Sequence, residues 1–162
     1  MTKKNLLFFL IFFKVFTQTP ANIQYEILSG SLIVGNSPYI IQVAFNIETS
    51  QEITFIQMKF DSLSARMHLI SAERNGESIW LLRSGERAAN DKVLAWKYDD
   101  ENKQLNLYPN TWQAPYRLVL DIQITPLQEG IISDNLRASV QINNSLLSCQ
   151  PSGRGNVFSL TR

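Results

Sequence analysis

The sequence predicts an all-β protein: a single antiparallel β-sandwich, or a flattened barrel, of about nine or ten short strands. Three observations carry this. Apolar residues recur with period two, which buries one face of a strand. Turn formers such as Asn75-Gly76 and Ser84-Gly85 separate the apolar runs. No segment carries the apolar stripe of a long amphipathic helix.

The elements follow in order. Residues 25–33 hold a first strand or two around Ser29-Gly30. Residues 39–47 form the next, with Ile41, Val43, Phe45 and Ile47 inward, after a turn over 35–38. In 53–60, Ile56, Met58 and Phe60 share one face while Ile53 falls on the other, a conflict that a β-bulge resolves. Residues 65–73 and 78–83 pair as a hairpin through Asn75-Gly76, and Trp80 and Trp96 read as core residues of their strands. Residues 85–92 suit a helical turn or two. Strands over 92–98 and 104–108 flank the acidic tip Asp99-Asp100-Glu101. The clearest strand is 116–125. Tyr116, Leu118, Leu120, Ile122 and Ile124 share its inner face, and Pro115 and Pro126 stand at its ends, where a missing donor is tolerated. Residues 128–135 read as a loop, 137–143 as a strand, and 157–160 as a short closing strand.

The first 21 residues are of a different character. Lys3 and Lys4 precede an unbroken apolar run from Leu6 to Phe13, and Thr19-Pro20-Ala21 ends it with small residues. This order is that of a secretory signal peptide, giving a signal over 1–21, a single sandwich domain over 22–162, and a periplasmic or secreted location. Lys14 interrupts the apolar stretch, so a retained short anchor stays open. The full chain carries 15 Lys and Arg against 14 Asp and Glu. Without Lys3, Lys4 and Lys14, twelve cations face fourteen anions, a net charge of about −2. That balance, with its basic residues scattered singly, excludes the electropositive footprint of a nucleic-acid binder.

Little in the sequence points to catalysis. The single histidine, His68, excludes a multi-histidine metal centre and alternates with Met67 and Leu69, which turns it outward. The single cysteine, Cys149, ends the apolar run Leu146-Leu147 and reads as buried, with pairing between chains as the alternative. Asp99-Asp100-Glu101 lacks the ligand spacing of a calcium loop and reads as a solvated turn. Asn143-Asn144-Ser145 matches a glycosylation acceptor, a pattern common by chance. No phosphate cradle or nucleophile elbow is present, and no cofactor, metal or catalytic residue is assigned.

The segment most suited to recognition is 107–116, which gathers Tyr108, Trp112 and Tyr116 between Pro109 and Pro115. Aromatic side chains on a restricted backbone give large contact area at small entropic cost. Trp112 also suits a plug at one end of the sandwich. The strand pattern as a whole resembles that of immunoglobulin-like envelope domains, a resemblance that implies a fold and no particular function. The functional expectation is a non-catalytic binding or accessory protein of the cell envelope, whose partner is an envelope protein or a small molecule. Tolerance or immunity to a toxic ligand or antibiotic is one such role. A fimbrial or surface structural subunit and a hydrolase with a concealed carboxylate site remain as alternatives.

Overall fold

The computed structural model describes residues 23–29, 33–34, 39–153 and 155–161. The expected signal segment and the turn over 35–38 lie outside them. Among the described residues thirteen strands follow in order: β1 Ile23–Ser29, β2 Ile33–Val34, β3 Tyr39–Ile47, β4 Ile53–Phe60, β5 Ala65–Arg74, β6 Glu77–Arg83, β7 Val93–Asp99, β8 Gln104–Tyr108, β9 Tyr116–Pro126, β10 Ile131–Ile142, β11 Ser145–Ser148, β12 Gln150–Ser152 and β13 Val157–Thr161. They join as β12-β1-β3-β9-β5-β6-β7-β8-β4-β10-β13-β2, with β11 beside β10.

β9 shows why these residues make this sheet. Its inward residues are buried at every second position, and β3 and β5 flank it with matching sets. Ile122 stands between Ile41 and Leu69, and all three are buried. A register shift between Leu69 and Ser71 lets Leu69 and Ala72 both point inward and leaves Ile70 exposed. The bulge expected in β4 is also present. Ile53 and Phe55 pair with the adjacent residues Ile142 and Gln141, so Ile53 turns into the core. Asn75 and Gly76 adopt φ of 52° and 81° and join β5 to β6 in a tight turn.

Two corner segments bend the sheet until it nearly closes into a barrel. At one corner β6 changes partners: Glu77–Ile79 pair with β5, and Trp80–Arg83 pair with β7. At the other, β11 pairs with β10 and β12 with β1, with only Cys149 between them. The Cys149 N–H donates to the Ala138 carbonyl at 2.9 Å and its side chain is buried. Inside, Phe60 meets Phe158 edge-on at 5.5 Å and Tyr25 stacks on Phe45 at 6.0 Å.

The all-β expectation holds, but the arrangement differs from a simple antiparallel sandwich. β1–β12, β6–β7 and β13–β2 pair in parallel. The strand number exceeds the expected nine or ten because β2, β11 and β12 are too short to show alternation. The loop expected over 128–135 becomes strand from Ile131, held by β13 through Ile131↔Thr161 to Asn135↔Val157. Residues 85–92 form bends and a turn, not a helix. No helix of the described residues is long and apolar enough to cross a membrane.

Candidate functional site

The outer face of the β6-β7-β8-β4-β10-β11 half carries the most unusual surface. In β6, Ile79 and Leu81 pack against the core, so alternation turns Trp80 and Leu82 outward, 77% and 48% exposed. Trp80 lies in register with Val93, and Leu82 with Ala95, which stands opposite Tyr108. The Tyr108 ring lies 5.6 Å from that of Phe55. Phe55 is opposite Gln141, and Gln141 is opposite Leu146, itself 54% exposed. One cross-strand row, Leu82–Ala95–Tyr108–Phe55–Gln141–Leu146, therefore crosses six strands with a single polar member. Beside it runs a ladder of amides: Gln57 donates to Gln104 at 3.1 Å, and Gln104 donates to Asn106 at 3.0 Å. An apolar centre with a satisfied polar rim is the anatomy of a protein interface. Trp80, expected in the core, is instead the most exposed aromatic residue of this face. β6 carries apolar residues on both sides, so composition alone did not separate them.

The three residues expected to recognise a partner are divided between two places. Tyr108 belongs to the row just described. Trp112 and Tyr116 meet edge-on at 5.5 Å at one end of the barrel. Tyr116 is buried, and burial pushes its hydroxyl up to about 12. Trp112 is half-buried: its indole N–H donates to the Asp91 carbonyl at 2.6 Å, and the Arg74 guanidinium lies 5.0 Å above its ring. Two hollows border Trp112, of about 210 Å³ beside Thr49–Ile53 and about 340 Å³ beside Arg74 and Gln113.

The remaining candidates are quiet. Burial pushes the Cys149 thiol up to about 12, which suppresses the reactive thiolate. His68 points outward and meets Trp96 edge-on at 5.0 Å. The acidic tip is a turn in which Asp99 accepts from the Glu101 and Asn102 amides at 3.0 and 3.1 Å. Asp121 bridges Gln42 and Ser71 on the outer face of the other half, at 3.2 and 2.6 Å. Among the described residues, no three of His, Cys, Asp and Glu gather to hold a metal ion.

Comparison with known proteins finds no matching family model and no significantly similar curated protein. Solved structures do share the fold. In the RrgA Jo.In complex the likeness covers 89% of this chain and 81% of that one, at 11% identity and a TM-score of 0.54. For BspA_C_WT it covers 89% and 51%, at 6% identity and a TM-score of 0.50. For the C-terminal domain of the Streptococcus pyogenes antigen I/II-family protein AspA it covers 90% and 47%, at 7% identity and a TM-score of 0.48. The chain thus spans about half the length of the last two. At these identities the likeness is one of fold, and it places the chain among all-β domains of this architecture.

Proposed function

We propose that this chain is a non-catalytic recognition module of an exported or envelope-associated protein, which docks a protein partner on the outer face of the β6-β7-β8-β4-β10-β11 half. The observation that carries this reading is the cross-strand apolar row with Trp80 at its side. An exposed tryptophan beside a cross-strand row whose Leu82 and Leu146 are exposed suits an interface centre, where aromatic anchors dominate binding energy. The N-terminal signal pattern agrees with a location outside the cytoplasm.

The test is capture of partners from envelope and culture-medium extracts, with mass spectrometry, by the purified chain and by a Trp80→Arg/Leu82→Glu variant. A protein retained by the wild type and lost with the variant supports the reading. Equal retention by a variant with unchanged melting overturns it.

A second reading, capture of a small toxic molecule, draws on the hollows beside Trp112. Their volumes of about 210 and 340 Å³ lie at or below the small end of ligand pockets. The fimbrial alternative needs an open edge for strand exchange; the described ends of the sheet, β12 and β2, are three and two residues long, which leaves the β5 edge over residues 65–71 as the candidate.

A further inference from the structure

A second concave surface lies away from the apolar face. Because β6 leaves β5 after Ala72–Arg74, the stretch of β5 from Ala65 to Ser71 pairs with β9 on one side and has no paired strand on the other among the described residues. Along this edge runs a groove of about 860 Å³, lined by Arg66, His68 and Ile70 of β5, Trp96 and Tyr98 of β7, and Arg83 at the end of β6. Met67, whose side chain is in the core, also borders it, so the strand edge itself forms part of the wall.

The groove carries an excess of positive charge. Arg66, Arg83 and Lys97 line it against one carboxylate, Asp100, whose Oδ1 is shared by Arg66 at 3.2 Å and Lys103 at 3.9 Å. Neither Arg83 nor Lys97 forms an ion pair within 4.0 Å among the described residues, although Lys97 is near enough to Asp99 to lower its carboxyl. The guanidinium groups are held in place by rings: Arg66 lies 5.3 Å from the Tyr98 centroid and Arg83 5.1 Å from that of Trp96, whose ring His68 meets edge-on. Stacking on an aromatic face leaves the planar fork of an arginine free for a carboxylate. The Tyr98 hydroxyl is buried beside the Arg66 guanidinium.

We infer that this groove binds an extended acidic peptide segment of a partner protein, its carboxylates meeting Arg83, Lys97 and Arg66 and its backbone running along the unpaired edge of β5. The unpaired edge favours a peptide over an acidic glycan. A strand edge presents alternating N–H and C=O groups, which another backbone matches and a sugar chain does not. Apart from Lys97, which stands opposite Asn106 of the amide ladder and so borders both surfaces, the groove residues lie off the apolar face.

The test titrates the full chain with a hexaglutamate peptide at low salt by calorimetry and tryptophan fluorescence. The comparison ligands are hexalysine, oligogalacturonate, and a hexaglutamate N-methylated at alternate amides. Hexaglutamate should bind and hexalysine should not. Arg83→Gln/Lys97→Gln should weaken binding about tenfold or more with melting unchanged, because both side chains are exposed. N-methylation should weaken it by a similar factor. Absence of hexaglutamate binding, indifference to the double substitution, equal affinity for the methylated peptide, or tighter binding of oligogalacturonate would each overturn the inference.

Discussion

The Tyr25 hydroxyl donates a hydrogen bond to the Leu136 carbonyl at 2.7 Å, linking β1 to β10 across 111 residues of sequence. Asn156 completes the junction, donating to the same carbonyl at 2.9 Å and to the Tyr25 oxygen at 3.2 Å. Near-closure of the sheet thus depends on a buried polar contact as well as on apolar packing. Tyr25→Phe keeps the ring against Phe45 and removes the hydroxyl. It should lower unfolding free energy by about 1–1.5 kcal/mol, measured by urea denaturation. A neutral result would mean that Asn156 alone satisfies the junction.

Asp134 is buried on β10 and gathers donors from the β4–β5 connection. It accepts from the Ser62 amide at 3.0 Å and from the Ser64 hydroxyl at 2.7 Å. Its removal would strand both donors. Asp134→Ala should cost about 3 kcal/mol, since bonds to a charged acceptor exceed neutral ones and their donors are left unsatisfied. A loss below about 1 kcal/mol would show that water replaces the carboxylate there.

Leu120 is fully buried at the centre of β9, between Val43 of β3 and Ala72 of β5. Leu120→Ala should therefore cost about 2–5 kcal/mol by chemical denaturation. A cost near zero would contradict the packing of this face.

How much of this was legible follows from where each side chain sits. β9 and β3 could be read because one face of each is wholly apolar, and their inward sets agree with the burial found. The strand from Ile131 to Asn135 could not. Its exposed Ile131 and buried Asp134 put apolar and polar residues on the faces opposite to those that alternation predicts, and its ladder depends on β13, distant in sequence. The corner strands β11 and β12 are too short for any periodic signal. The apolar face was partly within reach. Parity with Ile79 and Leu81 places Trp80 and Leu82 on the opposite side, a signal that the general apolarity of this segment masks. Its cross-strand row could not be read, because it depends on the register among six strands.

Trp112 should behave as a brace at the end of the barrel. Trp112→Ala removes the bond to Asp91, the stack under Arg74 and the contact with Tyr116 together. For a half-buried tryptophan this should cost about 2 kcal/mol, read as a fall in the thermal midpoint. Capture of a protein partner through the Trp80 face should persist in the folded variant. Loss of capture at unchanged stability would move recognition to the Trp112 end.

Alkaline pH should destabilise the fold in two stages. Burial raises the Cys149 thiol from 9.0 to about 12 and the Tyr116 hydroxyl from 10.0 to about 12, and it raises Tyr25 as well. Each group holds its proton more tightly when folded. The stabilisation is complete below the unfolded value and is lost as pH rises through the folded one. Between about pH 9 and 10 the thiol accounts for most of the loss, at up to about 1.4 kcal/mol per pH unit. Above pH 10 the tyrosines steepen it. Cys149→Ala carries its own constant cost for the lost sulfur, but it should flatten the decline between pH 9 and 10 while leaving the steeper loss above it. Denaturant titrations of both proteins at stepped pH measure the difference. Parallel curves across that first interval would mean that Cys149 reaches solvent before the barrel opens, and that the corner between β11 and β12 is the first part of the fold to yield.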